Sequence, residues 1–180
     1  MNQEYCARDW VNTLSILEDQ GLSESCIQVI AQHIQQQAQA AENTIILGLD
    51  LNGTLLGARI AAMLRYPFAF LIPFQKVATA GTPDQITDIE KFDHAIFVTD
   101  AVVTGATLKE LIKHYGLQNK LLATYTMLYR RPVGAIGNAA LQCDCPTYCI
   151  SDTFQIEVVR KEDCQLVAKV GCIASNQVVK

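Results

Sequence analysis

Asp100 stands four residues ahead of Thr104-Gly105-Ala106-Thr107. A carboxylate at the end of an apolar run, followed by small and hydroxylated residues that open a helix, suits one kind of ligand. Small residues let backbone N–H groups approach an anion, two hydroxyls add donors, and the helix start contributes a partial positive charge. The amides would take a phosphate, and the carboxylate would take the hydroxyls of a sugar beside it. The same residues also suit an ordinary strand–turn–helix with a capping threonine. No Gly-Lys pair of the nucleotide P-loop is present in this segment, nor are the three glycines of the dinucleotide fingerprint. A second unusual segment, Gly48-Leu49-Asp50-Leu51-Asn52-Gly53-Thr54, also lies between an apolar run and a helical pattern.

These segments need a scaffold, and the hydropathy pattern supplies one. Thr44–Leu47 is a short apolar run ending in Gly48, which predicts a buried strand. Leu55–Leu64 predicts a helix that is apolar nearly all round, and Phe68–Ile72 a second strand. Ala95–Val98 predicts a third strand, Leu108–Tyr115 a helix after it, and Leu121–Leu128 a fourth strand. Strands alternating with helices imply a mainly parallel, doubly wound α/β sheet with right-handed crossovers. Ligands of such sheets bind at the carboxyl ends of the strands, where both unusual segments fall.

The flanks differ. Residues 1–43 have a helical pattern, with Ile27, Ile30, Ala31, Ile34, Ala38 and Ala41 on one face and Gln35, Gln36, Gln37 and Gln39 on the other. Ser23 or Ser25 is the expected cap. Pro73, Gly81 and Pro83 punctuate a long polar stretch over 73–93. From Thr147 the tail predicts short strands, with Phe154, Ile156 and Val158 alternating with Gln155, Glu157 and Val159. One domain is expected over 1–180, divided into a helical segment 1–43, a core 44–135 and C-terminal strands 136–180.

Composition excludes several classes. Half of the 180 residues are hydrophobic, 18% are charged and the net charge is -4, which argues against disorder and against a basic nucleic-acid surface. The longest clean apolar stretch, Pro67–Phe74, is far short of the roughly 20 residues a membrane helix needs. Glu4, Arg8 and Asp9 precede no apolar core, so no secretory signal is expected and the predicted address is cytoplasmic.

The remaining reactive side chains suggest packing more than chemistry. Seven cysteines, an odd number at irregular spacing, predict reduced thiols rather than a disulfide framework. Cys143, Cys145 and Cys149 with Cys164 or Cys172 could also form a zinc site, although Cys143-Asp144-Cys145 is tighter than the usual paired knuckle. His33 is expected at a helix boundary, His94 at a strand start and His114 in a helix's last turn; none has a metal-ligand partner at useful spacing, and no resident metal site is expected. Trp10 with Val11, Leu14 and Leu17 predicts an anchor for an N-terminal helix.

Phe97-Val98-Thr99-Asp100-Ala101-Val102-Val103-Thr104-Gly105-Ala106-Thr107 resembles the 5-phosphoribosyl-1-pyrophosphate (PRPP) motif of the type I phosphoribosyltransferases. Gly48 through Gly57 resembles the same family's pyrophosphate loop, and the Phe68–Ile72 strand ending near Lys76 matches its next element. The resemblance spans about residues 40–135 in the family's order. It implies a type I phosphoribosyltransferase-like fold with an N-terminal helical hood. It further implies that PRPP binds with Mg2+, pyrophosphate leaves C1 of the ribose, and a nucleobase nitrogen attacks. By resemblance, Thr104, Gly105, Ala106 and Thr107 hold the 5-phosphate, with Thr99, Ala101, Val102 and Val103 completing the motif. Asp100 contacts the ribose hydroxyls. Asp50, Leu51, Asn52 and Gly53 form the pyrophosphate loop, Lys76 is its charge partner, and Val77–Glu90 covers the site. Tyr129-Arg130-Arg131-Pro132-Val133-Gly134 is similar to the segment in orotate phosphoribosyltransferases where an arginine reads the orotate carboxylate, which points to Arg130 and to orotate or another pyrimidine. The implied partners are small molecules and a second copy of the chain in a homodimer.

The chain departs from that pattern at named positions. Thr99 stands where the family usually has the first of two acids, Val103 where it has the first threonine, and Tyr129 where an aspartate precedes the arginine. The covering loop carries Asp84, Asp88 and Glu90 and has no lysine or arginine between Val77 and Glu90. Two functions fit: a phosphoribosyltransferase, or a regulatory protein that binds PRPP or a nucleotide without turnover.

Overall fold

The computed structural model describes residues 5–7, 13–37, 42–71, 89–102, 105–129, 145–150 and 158–160. Thr44–Leu49 (β2) is buried along its whole length, as a strand with helices on both faces must be. It runs into α3 (Asp50–Leu64), which ends at Arg65 in the left-handed region. The Tyr66 N–H closes on Ala61 O at 2.9 Å and Pro67 follows, so the helix stops sharply before β3 (Phe68–Leu71). A 3-10 turn (Ile89–Lys91) precedes β4 (His94–Val102), which leads through Gly105 to α4 (Ala106–His114) and β5 (Leu121–Tyr129). A short β6 (Thr147–Cys149) pairs with β5.

These five strands form one sheet in the order β3-β2-β4-β5-β6, with every pairing parallel. Chain order reverses between β2 and β4, so a crevice opens between their carboxyl ends. The doubly wound expectation holds, and the alternation of side chains along the strands explains how. Ile46, Ile96, Val98, Ala123 and Tyr125 face α3 and α2 (Gln20–Gln37), packing with Ile27, Ile30, Ile34, Leu56 and Ile60. Ile45, Leu47, Ala95 and Phe97 face the other way, onto Leu108 and Leu111 of α4.

The N-terminal region is partly as expected. Ile27, Ile30, Ala31 and Ile34 are the buried face of α2, while Ala38 and Ala41 lie outside the described residues. The cap is different. Asp19 Oδ1 accepts the Leu22 N–H at 2.9 Å, one turn before the expected serines. Ser23 is buried inside the helix and accepts from Arg59 of α3, and Ser25 bonds back to Gly21 O at 2.8 Å. Ahead of α2 lies the six-residue α1 (Thr13–Glu18). The first strand, β1 (Tyr5–Ala7), corrects the purely helical expectation for 1–43: it pairs antiparallel with β7 (Val158–Arg160), giving a separate two-stranded sheet. Local hydropathy in three residues cannot announce a partner more than 150 residues away. Val158 lies in a strand as the tail pattern predicts; Phe154, Ile156 and Trp10 fall outside the described residues.

Element boundaries moved most where function is expected. The helix expected over Leu55–Leu64 begins at Asp50, so Asp50-Leu51-Asn52-Gly53 is its first turn and not a free loop. The strand expected over Ala95–Val98 continues to Val102 and carries Thr99 and Asp100 within it.

Candidate active site at the ends of β2 and β4

The end of β2 is shaped by what cannot fit there. A Cβ on Gly48 would lie 2.7 Å from Thr54 Cα and 2.8 Å from Gly53 O. A Cβ on Gly53 would lie 2.7 Å from Val98 O and 2.9 Å from Thr99 Cα. Both conflicts are with backbone, so the two glycines let the first turn of α3 sit directly on β2 and β4. Asp50 makes the strand-to-helix corner with φ 58, a left-handed conformation in which aspartate is commoner than most residues. The Thr54 hydroxyl bonds to Asp50 O and ties this turn to itself. Leu49, at the N-cap, offers no side-chain bond to the turn.

The end of β4 is shaped by a charge. Asn52 Nδ2 donates to Asp100 Oδ2 at 3.0 Å, and the Thr13 hydroxyl donates to the same oxygen at 2.5 Å. Asn52 Nδ2 also donates to Thr13 Oγ1 at 2.9 Å. The three side chains therefore close a ring of hydrogen bonds across the crevice, one each from α1, α3 and β4. Asp100 and Asn52, one from each of the two unusual segments, come together. Thr13 was not foreseen: it lies 87 residues from Asp100 in sequence, and no local motif marks it.

The neighbours of Asp100 are placed unequally. Thr99 is 3% exposed, enclosed within the strand beside the half-buried Asp100. Ala101 is half-buried against the α2–α3 side, and Val102 is buried on the α4 side. Gly105 caps α4 with φ 76, a conformation that favours glycine. Ala106 is the first residue of α4, and Thr107 is exposed on its first turn. Leu51 is exposed on the first turn of α3. Lys76, Val103, Thr104, Arg130 and residues 77–88 lie outside the described residues.

A second polar cluster, also unforeseen, sits under α2. His33 Nδ1 and the Tyr125 hydroxyl are 2.9 Å apart, and the Tyr125 and Tyr148 rings stack across β5 and β6 with centroids 5.2 Å apart. Burial, with Tyr148 adding to it, pushes the Tyr125 phenol above the ordinary tyrosine range. Two of the described thiols are engaged locally: Cys145 Sγ lies 3.3 Å from Thr124 Oγ1, and Cys149 Sγ donates to Met127 O at 3.4 Å.

No protein-family model matches the sequence, and no curated protein matches it significantly. Solved structures do. The chain is similar to adenine phosphoribosyltransferase from Saccharomyces cerevisiae, with TM-score 0.57 and 19% identity over 78% of this chain and 85% of that one. It is similar to adenine phosphoribosyltransferase from Rhodothermus marinus, with TM-score 0.58 and 16% identity over 82% and 93%. The fold is that of the type I phosphoribosyltransferases. Orotate phosphoribosyltransferase from Aeropyrum pernix shares this fold with the chain at TM-score 0.54 and 14% identity, over 83% of this chain and 76% of that one. Likeness at such identity is a likeness of phosphoribosyltransferase fold, on which function must be argued from the site. No described helix is long and apolar enough to cross a membrane.

Proposed function

We propose that the protein binds PRPP in the crevice between β2 and β4 and transfers its phosphoribosyl group to a nucleobase, releasing pyrophosphate. The observation that carries this is the joining of Asp100 to Asn52 across the point where strand order reverses. In this reading Asp100 takes the ribose hydroxyls. The turn ending at Gly105, with Thr104, Ala106 and Thr107, takes the 5-phosphate through amides and hydroxyls. The first amides of α3, at Leu51, Asn52 and Gly53, take the pyrophosphate with Lys76 as charge partner. Catalysis comes from positioning and from stabilising the leaving group in a water-poor crevice.

Mg2+ fits this site as a companion of the substrate. Among the described residues no three His, Cys, Asp or Glu side chains gather to hold a metal. Magnesium commonly takes one or two carboxylates plus substrate phosphates and keeps its waters, and Asp100 is the carboxylate at the crevice. The ion would supply neutralisation of the departing pyrophosphate. For the base, Arg130 supports orotate or another pyrimidine. The same reading includes a cytoplasmic homodimer, which light scattering of the purified protein would check.

A second reading has a specific observation behind it. Thr99 occupies the usual first acid position and is almost fully buried, leaving one carboxylate where the family usually has two. A regulatory protein that binds PRPP without turnover needs no more than that. The experiment is to mix the protein with PRPP, Mg2+ and a panel of purine and pyrimidine bases, following pyrophosphate release and thermal shift together. Stabilisation with release for one base is expected. Stabilisation without release for any base would favour the regulatory reading, and no stabilisation by PRPP or any nucleoside monophosphate would remove both.

A further inference from the structure

Thr13 opens α1 and is 6% exposed, with its hydroxyl both donating to Asp100 Oδ2 at 2.5 Å and accepting from Asn52 at 2.9 Å. Threonine carries a secondary alcohol, the same group that ribose presents at its 2 and 3 positions. We infer that Thr13 is an internal stand-in for a sugar hydroxyl, so that α1 plugs Asp100 and a ribose phosphate binds by displacing it. The inference rests on the phosphoribosyl reading of the crevice and adds a regulatory step to it.

Three observations carry it. First, a hydroxyl in direct contact with the carboxylate leaves no room for a sugar between them, and both present donors use the same oxygen, Oδ2. A vicinal diol that grips a carboxylate with two parallel bonds needs both oxygens, so Thr13 has to yield. Second, the exchange conserves bonding. An incoming hydroxyl can donate to Asp100 and accept from Asn52 as Thr13 does, so no buried group is left unpaired. Third, α1 is lightly held. It has only six residues, too few to persist as a helix without tertiary contacts. Ile16 and Leu17 are only partly buried against the core, and Leu14 is 37% exposed. Removing α1 from the crevice therefore leaves the sheet and its two main helices intact.

The test compares the full chain with Thr13→Val, which keeps the shape and removes the hydroxyl, and Thr13→Ser, which keeps the hydroxyl. Titration calorimetry with ribose 5-phosphate and with PRPP plus Mg2+ reads affinity. Hydrogen exchange of residues 13–18 reads the release of α1. The expected result is affinity about tenfold higher for the valine variant, from loss of one charge-assisted competitor bond, and wild-type affinity for the serine variant. Ligand should accelerate exchange in α1 of the wild type. Equal or weaker binding by the valine variant, or protection of α1 by ligand, overturns the plug and leaves the phosphoribosyl reading standing. If neither wild type nor the valine variant binds any ribose phosphate, the phosphoribosyl reading falls and takes the plug with it. Should the valine variant not fold, the exchange response of the wild type decides alone.

Discussion

The two strand ends that make the crevice are built on opposite principles. At the end of β2, Gly48 and Gly53 work by having no side chain, and the first turn of α3 seats on the strands through close backbone contact. At the end of β4, Asp100 works by having a charge, and it is located by two side-chain donors from other elements. The first arrangement is rigid, because its close contacts are between backbone atoms. The second is exchangeable, because each donor can be replaced by another of the same chemistry. A site that holds one part of a ligand by fixed amides and another by an exchangeable carboxylate has a ready division between anchoring and selection.

The largest effect is expected from erasing the difference between neighbours on β4. Thr99→Asp would place a carboxylate at a position only 3% exposed, with no cationic partner shown for it among the described residues. Such a burial costs about 3–5 kcal/mol. The melting temperature should fall by roughly 10 °C or more. A variant that melts within two or so degrees of wild type would mean that position 99 is not closed to water.

Next in size is a methyl group at the β2 end. Gly53→Ala sets a Cβ 2.7 Å from Val98 O, and the strand cannot retreat without disturbing its pairing with Gly48. A loss of about 3 kcal/mol is expected by denaturant titration. Gly57→Ala is the control. Its nearest neighbour is the Phe68 ring edge at 3.1 Å, which can give, its nearest backbone atom is Gly48 Cα at 3.3 Å, and alanine gains about 1 kcal/mol of helix propensity, so a smaller loss is expected. Equal losses for the two would show that the close approach at Gly53 is not special.

Asp100→Ala tests the exchangeable half. If Asp100 takes the ribose hydroxyls as proposed, removing its carboxylate should lower ribose-phosphate affinity about a hundredfold. Calorimetry that finds affinity within threefold of wild type would move the sugar away from β4.

How much of this could be read from the sequence depended on how far apart the interacting residues lie. The parallel sheet was legible because its strands are continuous apolar runs such as Ile45–Leu47 and Ala95–Val98, whose burial follows from composition alone. Asp100 and Asn52 stood out as polar residues just after apolar runs, although the first lies within β4 and the second within α3. Helix and strand ends were not legible, because Asp50-Leu51-Asn52-Gly53 has poor helix propensity and becomes helical only when its glycine seats on β4. Thr13 and the His33–Tyr125–Tyr148 cluster were not legible, because each depends on elements brought together by the tertiary fold. Of the proposed phosphate turn, Gly105 is described with the left-handed φ that its residue type suits.

That φ gives a smaller prediction. Gly105→Ala must hold alanine at φ 76, which costs roughly 1–2 kcal/mol in a left-handed conformation. Stability measured by chemical denaturation should fall by that amount. If alanine is tolerated without loss, the turn into α4 has an alternative conformation and the proposed amide cradle is not fixed.

The smallest effect belongs to a position away from both strand ends, and it serves as their control. Tyr125 lies in mid-strand, paired with Val98 on one side and Tyr148 on the other, and its phenol bonds to His33. Tyr125→Phe should cost about 1 kcal/mol for the lost bond and leave ribose-phosphate affinity unchanged. Its pH dependence has a definite sign. The folded state raises the phenol's pKa, so native protein keeps the proton that unfolded protein releases near the ordinary tyrosine value of about 10. Stability contributed by the neutral phenol is complete below that pH and is lost as pH rises beyond it toward the folded value. Wild type should therefore lose stability more steeply than Tyr125→Phe above about pH 10, with tyrosinate absorbance appearing late for one residue. Parallel alkaline stability curves for the two proteins would show that the phenol is not shielded under α2. A change in ligand affinity would show that the sheet centre and the crevice are mechanically coupled, and that the separation of anchoring from selection at the two strand ends is incomplete.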